Sequence, residues 1–197
     1  LITWGRGNPV LGLRDRIGWV LGDIVHSTPV VVGAPANFIA EESYQDFYAA
    51  YEDRRRLIYV GANDGMLHAF DANTGEEAWA FIPEFALTDF DVMADSFYCH
   101  SYNCDQTPTV KDLKLNGDWK TILFAGGREG GAAVFALDVT KPDSPRVLWQ
   151  HDLPDGHTFN ADIEVINVAD QALALVGSGL DQGILLQKGN PRNITAV

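Results

Sequence analysis

Two acid–imidazole pairs are the first places to look for chemistry in this chain. Asp23 and His26 lie close together in Leu-Gly-Asp-Ile-Val-His-Ser-Thr-Pro, and Asp64 and His68 in Asp-Gly-Met-Leu-His. A carboxylate that orients an imidazole is only part of a nucleophilic site, which also needs a serine, threonine or cysteine held against the ring. The sequence places no such nucleophile, so both pairs read as polar partners that satisfy backbone groups. Asp89, Asp91 and Asp95, with Asp105 beyond them, form the densest acidic stretch. Calcium takes several oxygen ligands, but the spacing here misses the EF-hand pattern, as does Asp71-Ala-Asn-Thr-Gly75. A solvated acidic loop is what remains. Cys99 and Cys104 sit in Cys-His-Ser-Tyr-Asn-Cys. One local pair is too small a set for structural zinc, and it is not the Cys-x-x-Cys-His of covalent haem. In an oxidising compartment Cys99 and Cys104 would close a small surface loop by a disulfide; in a reducing one they would be unrelated thiols. No catalytic, cofactor-binding or metal-binding residue is assigned within this segment.

Composition narrows the classes. The chain has 197 residues, 46% hydrophobic and 21% charged with 19 glycines, the profile of a folded domain rich in tight turns. A net charge of −13 repels phosphate backbones, which argues against nucleic acid as a partner. No apolar run approaches the roughly 20 residues that span a bilayer, so no transmembrane segment is expected. The opening Leu1-Ile2-Thr3-Trp4 has neither a starting Met nor a signal pattern, and reads as part of a longer protein.

The elements that must position these residues come from a repeat. Leu57–Val60 reads as a short strand, Asn63-Asp64-Gly65 as a tight turn and Met66–Phe70 as the return strand. Asp71–Gly75 is a second turn, and Ala78–Phe81 a third strand. The pattern returns as Thr121–Ala125, Gly126–Gly131, Ala132–Leu137, Asp138–Pro145 and Val147–Trp149. Gly61 then matches Gly126, Asp71 matches Asp138, and Trp79 matches Trp149. A third start stands at Ala172–Gly177. Ahead of the first two units come Ser27-Thr28-Pro29-Val30-Val31 and Gln106-Thr107-Pro108-Thr109-Val110, where proline suits the first position of a strand. The expected fold is therefore all-β: a modified β-propeller of four-stranded blades, with Trp79 and Trp149 between blades. Residues 1–197 would form part of one propeller domain. About three blades fit, fewer than the roughly four to eight of a closed ring, so an incomplete circle or further blades are expected.

Two insertions remain once the repeat is subtracted. Ile39–Arg56 carries Tyr44, Phe47, Tyr48 and Tyr51 at helical spacing, with Glu41 and Glu42 early and Arg54-Arg55-Arg56 late. This predicts a short amphipathic helix whose charges suit its dipole and whose rings pack in the core. Pro83–Asp105 has no counterpart of equal length after Trp149. Its rings Phe85, Phe90, Phe97, Tyr98 and Tyr102 stand among aspartates, as aromatic anchors do within a polar interface rim. That loop is the candidate partner-binding surface; the alternative is that its rings cover the blade edge.

Two resemblances bear on function. Trp79 with the Asp-x-x-x-Gly turn before it resembles the repeats of quinoprotein dehydrogenases, propellers that hold pyrroloquinoline quinone beside a disulfide between adjacent cysteines. Cys99 and Cys104 are not adjacent, so the shared feature is architecture rather than chemistry. A fragment of a pyrroloquinoline-quinone-dependent dehydrogenase is the alternative reading, and a scaffold of an outer-membrane assembly machine a third. The strings Leu21–Val30, Ile58–Asp71 and Val134–Thr140 are more specific, and resemble PilY1/PilC-type type IV pilus tip proteins over roughly residues 10–180. The resemblance implies a secreted, cell-surface, non-enzymatic module of the pilus tip. It would act with minor pilins in pilus assembly and retraction, and in adhesion to a host or surface receptor. It also implies a calcium loop rich in aspartate, usually further along the domain, which matches no position here.

Overall fold

The computed structural model describes residues 1–152 apart from 17, 37 and 38, and beyond them the backbone of 159–168, 171–178, 183–187 and 195–196. Among the described residues, twelve strands make three antiparallel sheets of four, each in sequence order. The first holds β1 (Val30–Val32), β2 (Leu57–Ala62), β3 (Met66–Asp71) and β4 (Glu77–Phe81). The second holds β5 (Thr109–Leu115), β6 (Asp118–Gly126), β7 (Ala133–Asp138) and β8 (Arg146–Asp152). The third holds β9 (Phe159–Val168), β10 (Gln171–Ser178), β11 (Gly183–Gln187) and β12 (Thr195–Ala196). The third start read at Ala172–Gly177 falls on β10, and the tail beyond Gly183 supplies two strands that the repeat does not foretell. These are the four-stranded blades expected of a propeller.

The matched residues do matched work. Asp71 accepts the backbone N–H of Asn73 at 2.8 Å and of Thr74 at 2.9 Å, and Asp138 accepts that of Thr140 at 3.1 Å. Each aspartate thus builds the turn that follows its strand. Trp79 pairs across from Ala69 and Trp149 from Ala136, and in both blades the ladder slips at that point. Trp79 reaches the next blade as expected, its indole N–H donating to the carbonyl of Pro142 at 2.7 Å.

One core lies between the first two blades. Leu57, Tyr59, Leu67 and Ala69 on one side meet Leu123, Ala125, Phe135 and Leu137 on the other, all at 0% or 1% exposure. Period-2 alternation sets these residues on facing sides of the two sheets. A smaller cluster sits beside the first blade, where Trp4, Met66, Phe90, Met93 and Ala94 pack together.

The predicted helix exists as α2 (Glu42–Tyr51), behind a short α1 (Ile2–Gly5). It docks on the second blade. Tyr44 is fully buried and meets Trp119 edge-on at 4.8 Å, while its hydroxyl donates to Asp112 at 2.6 Å. The role expected for Arg54-Arg55-Arg56 is corrected: the helix ends before them, so they do not serve its dipole. Arg54 instead crosses between blades, bonding Thr121 Oγ1 at 2.7 Å and the Thr140 carbonyl at 3.5 Å. Arg55 holds Asp71 at 2.5 Å and Asp143 at 2.6 Å. A guanidinium presents several donors in a fixed fork, so one side chain can tie two separate segments together.

The first two blades are held at their starts by equivalent residues. Ser27 donates to the carbonyl of Gln106 at 3.1 Å and accepts from the amide of Gly61 at 2.9 Å. Thr28 donates its amide to Thr107 Oγ1 at 3.0 Å. Between the blades the chain passes so tightly that a Cβ on Gly61 would lie 2.1 Å from the Cys104 carbonyl oxygen. Gly61→Ala should therefore lower stability by about 3 kcal/mol or more, since backbone must move to admit it. Gly75→Ala, with φ +75° but open space around it, should cost only about 1 kcal/mol. Urea denaturation of both variants checks the order; equal losses would contradict the tight passage.

Candidate functional site

The Pro83–Asp105 insertion folds into two short turns of helix, α3 (Glu84–Leu87) and α4 (Phe90–Ala94), followed by an extended return. Its apolar residues are divided between anchor and surface. Phe90 is 4% exposed and meets Trp4 edge-on at 5.7 Å. Phe85 packs against the inter-blade core, and Tyr98 takes the Arg14 guanidinium over its ring at 4.1 Å. These three rings of the predicted surface are packing. Phe97, 90% exposed, and Tyr102, 38% exposed, are the two that face solvent. Asp89, Asp91 and Asp95 are exposed beside them, and two of these shape the loop, Asp91 accepting the Val92 amide at 2.8 Å and Asp95 the Phe97 amide at 2.7 Å.

The return leg ends in a polar knot against the first blade. Asn103 donates its amide to Asn63 Oδ1 at 3.0 Å, and Asn63 donates to Asp23 at 2.9 Å. Asp23 and His26, which sequence set side by side, take different partners. Asp23 accepts from His100 at 2.9 Å, and His26 pairs with the buried Asp105 through both its amide and its ring. His26 and His100 flank Tyr102, with ring centroids 5.3 and 5.6 Å away. The sequence reading missed both partners. The signal was in the repeat, because His26 and Asp105 hold the same place ahead of Thr28-Pro29 and Thr107-Pro108.

Asp64 and His68 do meet, at 3.1 Å. The other ring nitrogen of His68 faces Glu77 at 2.6 Å, while Asp64 also accepts the amides of Gly22 at 2.8 Å and Met66 at 3.2 Å. Both nitrogens are taken by carboxylates, so this imidazole has no free lone pair to activate a nucleophile. Burial alone would lower its pKa, but the hydrogen bonds and charge of Asp64 and then Glu77 outweigh it and hold the pKa above the ordinary histidine value. Among the described residues no three His, Cys, Asp or Glu side chains converge as metal ligands. The acidic stretch and Asp105 point to separate tasks, so the calcium implied by resemblance has no ligand set among these residues.

Cys99 and Cys104, expected to close a disulfide in an oxidising compartment, are not bonded to each other in this structure. Cys99 lies exposed on the loop, whereas Cys104 is buried in the inter-blade core with its sulfur close over Gly61. Burial, followed by the charges of Asp64 and Asp105, pushes the Cys104 thiol pKa well up.

Two outcomes follow. Iodoacetamide should modify Cys99 in the native protein and Cys104 only after unfolding, as read by peptide mass; protection of both until a reductant is added would mean that they are bonded. His68 should titrate by NMR above its usual value of about 6.5. A raised folded-state pKa gives stability that is complete below about 6.5 and lost as pH rises through the folded value. The stability difference between wild type and His68→Gln should shrink along that rise, and a difference independent of pH would refute the charged imidazole.

Among the described residues, no helix is long and apolar enough to cross a membrane. Comparison with known proteins gives a consistent relationship. A type IV pilus biogenesis factor PilY1 homolog of Xylella fastidiosa (strain Temecula1) is 43% identical over 159 residues, which cover 76% of this chain and 13% of that protein. The type IV pilus biogenesis factor PilY1 of Pseudomonas aeruginosa (strain UCBPP-PA14) is 40% identical over 164 residues, covering 76% of this chain and 14% of the relative. The chain thus spans a small part of the length of these relatives. The crystal structure of the Pseudomonas aeruginosa PilY1 C-terminal domain superposes with a TM-score of 0.67 at 31% identity, over 85% of this chain and 37% of that one. The family model for the PilY1 beta-propeller domain matches residues 21–160, from the Gly22-Asp23 string through the second blade, and the chain belongs to that family.

Proposed function

We propose that this chain serves a type IV pilus biogenesis factor as a binding and assembly module rather than as an enzyme. The observation that carries the reading is the division of labour in the 83–105 insertion. Phe85, Phe90 and Tyr98 are held by packing, which fixes the loop and leaves Phe97 and Tyr102 displayed. A rigid loop loses little entropy on binding, so exposed rings on it make efficient contacts. Aspartates around the rings form a polar rim suited to excluding water from the contact. The names of the relatives place those proteins in pilus biogenesis. On this reading the three sheets belong to one propeller domain, exported to the cell surface and working at the pilus tip with minor pilins in assembly and retraction. Adhesion to a host or surface receptor would use the same display.

The paired change Phe97→Ser and Tyr102→Ser tests the surface in the intact protein. Phe97 is almost fully exposed and Tyr102 touches the His26 and His100 rings, so stability should fall by no more than about 2 kcal/mol with the fold intact, while surface pili counted by electron microscopy should fall sharply. Normal piliation and adhesion with the folded double variant would reject the loop as the contact surface.

A further inference from the structure

A second candidate site lies away from the loop, in the groove where α2 meets the second blade. It is a cavity of about 380 Å³ walled by Tyr51 at the end of the helix, Trp119 and Lys120 on β6, Arg146 on β8, and Thr140, Lys141 and Ser144 on the loop between β7 and β8. Its charge is opposite to that of the molecule. The chain carries 27 acidic against 14 basic residues, yet three cations line this one cavity. Lys120 is committed to Asp138 at 3.0 Å. Lys141 and Arg146 form no salt bridge among the described residues and are exposed. The remaining carboxylate of the lining, Asp118, stands exposed on the rim.

The walls are fixed before any ligand arrives. The Trp119 indole N–H donates to Ser43 at 2.9 Å, and its ring is braced by Tyr44. The loop that carries Lys141 is tied at three successive points. Arg54 bonds the Thr140 carbonyl, Trp79 the Pro142 carbonyl at 2.7 Å, and Arg55 the Asp143 carboxylate at 2.6 Å. The cation held by this loop makes none of those ties itself.

We propose that this cavity binds a small acidic saccharide, a sugar bearing a carboxylate such as a uronic acid. The apolar face of a pyranose ring would lie on Trp119 and Tyr51, its hydroxyls would meet Thr140 and Ser144, and its carboxylate would meet Lys141 and Arg146. Arginine reads a carboxylate through paired donors, and half-exposed aromatic rings offer an apolar surface with a polar edge. Long polyanions are disfavoured by the surrounding negative surface, whereas a short acid with one or two carboxylates enters at little cost.

Calorimetric titration of the intact protein with digalacturonate tests the site, with the uncharged disaccharide of galactose and inorganic phosphate as the other probes. Digalacturonate should bind, and the neutral sugar should bind about tenfold more weakly or worse, the loss expected for one charge-assisted contact. Lys141→Gln with Arg146→Gln should reduce affinity by at least about tenfold without changing the melting temperature, since neither side chain supports the fold. The proposal is overturned if the double variant binds as wild type, or if the neutral sugar binds equally well. It is also overturned if phosphate binds as tightly as the sugar acid, or if nothing binds at about 10 mM ligand.

Discussion

The first two blades depend on a passage with no room in it. The backbone of Asn103 and Cys104 runs against Gly61 on one side and Gly130 on the other, where an added Cβ would fall 2.1 Å and 2.0 Å from carbonyl oxygens. Backbone in such contact must spend its hydrogen bonds locally. The side chains nearby are accordingly those that donate and accept: Ser27, Asn63, Asn103 and Asp105. The apolar inter-blade core and this polar strip lie end to end, one giving adhesion between sheets and the other register.

That arrangement explains the acid–imidazole pairs. His26 and Asp105 come from equivalent starts of neighbouring blades, so their bond locks one blade to the next rather than preparing a base. His68 occupies the first-blade place of Phe135, which in the second blade packs against Phe81 at 5.2 Å. A histidine on such a face survives only with its nitrogens satisfied, which Asp64 and Glu77 do.

Much of the fold was legible because the repeat is local. Turn residues such as Asp71 and Gly65 act within a few positions of themselves, and their signals need no knowledge of the rest of the chain. The helix was legible from its aromatic spacing. What could not be read were choices made across long separations. Arg54 has the composition of a helix end but its partners lie near Thr121 and Thr140. Phe90 and Phe97 look alike in sequence, and it is the distant Trp4 and Met66 that give one of them a place inside. Cys99 and Cys104 are near neighbours in the chain, but the strip between the blades draws Cys104 inward while Cys99 stays on the loop.

The helical insertion has a further consequence, for inheritance rather than for folding. Propeller blades are often treated as modules that can be duplicated, exchanged or recombined one at a time. Here α2 is written into the first unit, yet Tyr44 and Arg54 satisfy Asp112 and Thr121 of the second. A second blade moved without its neighbour would keep only the Thr121 hydroxyl on Asp112 and lose that of Tyr44, and a first blade moved alone would expose the face of its helix. The smallest piece of this chain that carries these inter-blade bonds intact is therefore the pair, so a segment exchange that keeps them must cut on either side of the two blades together.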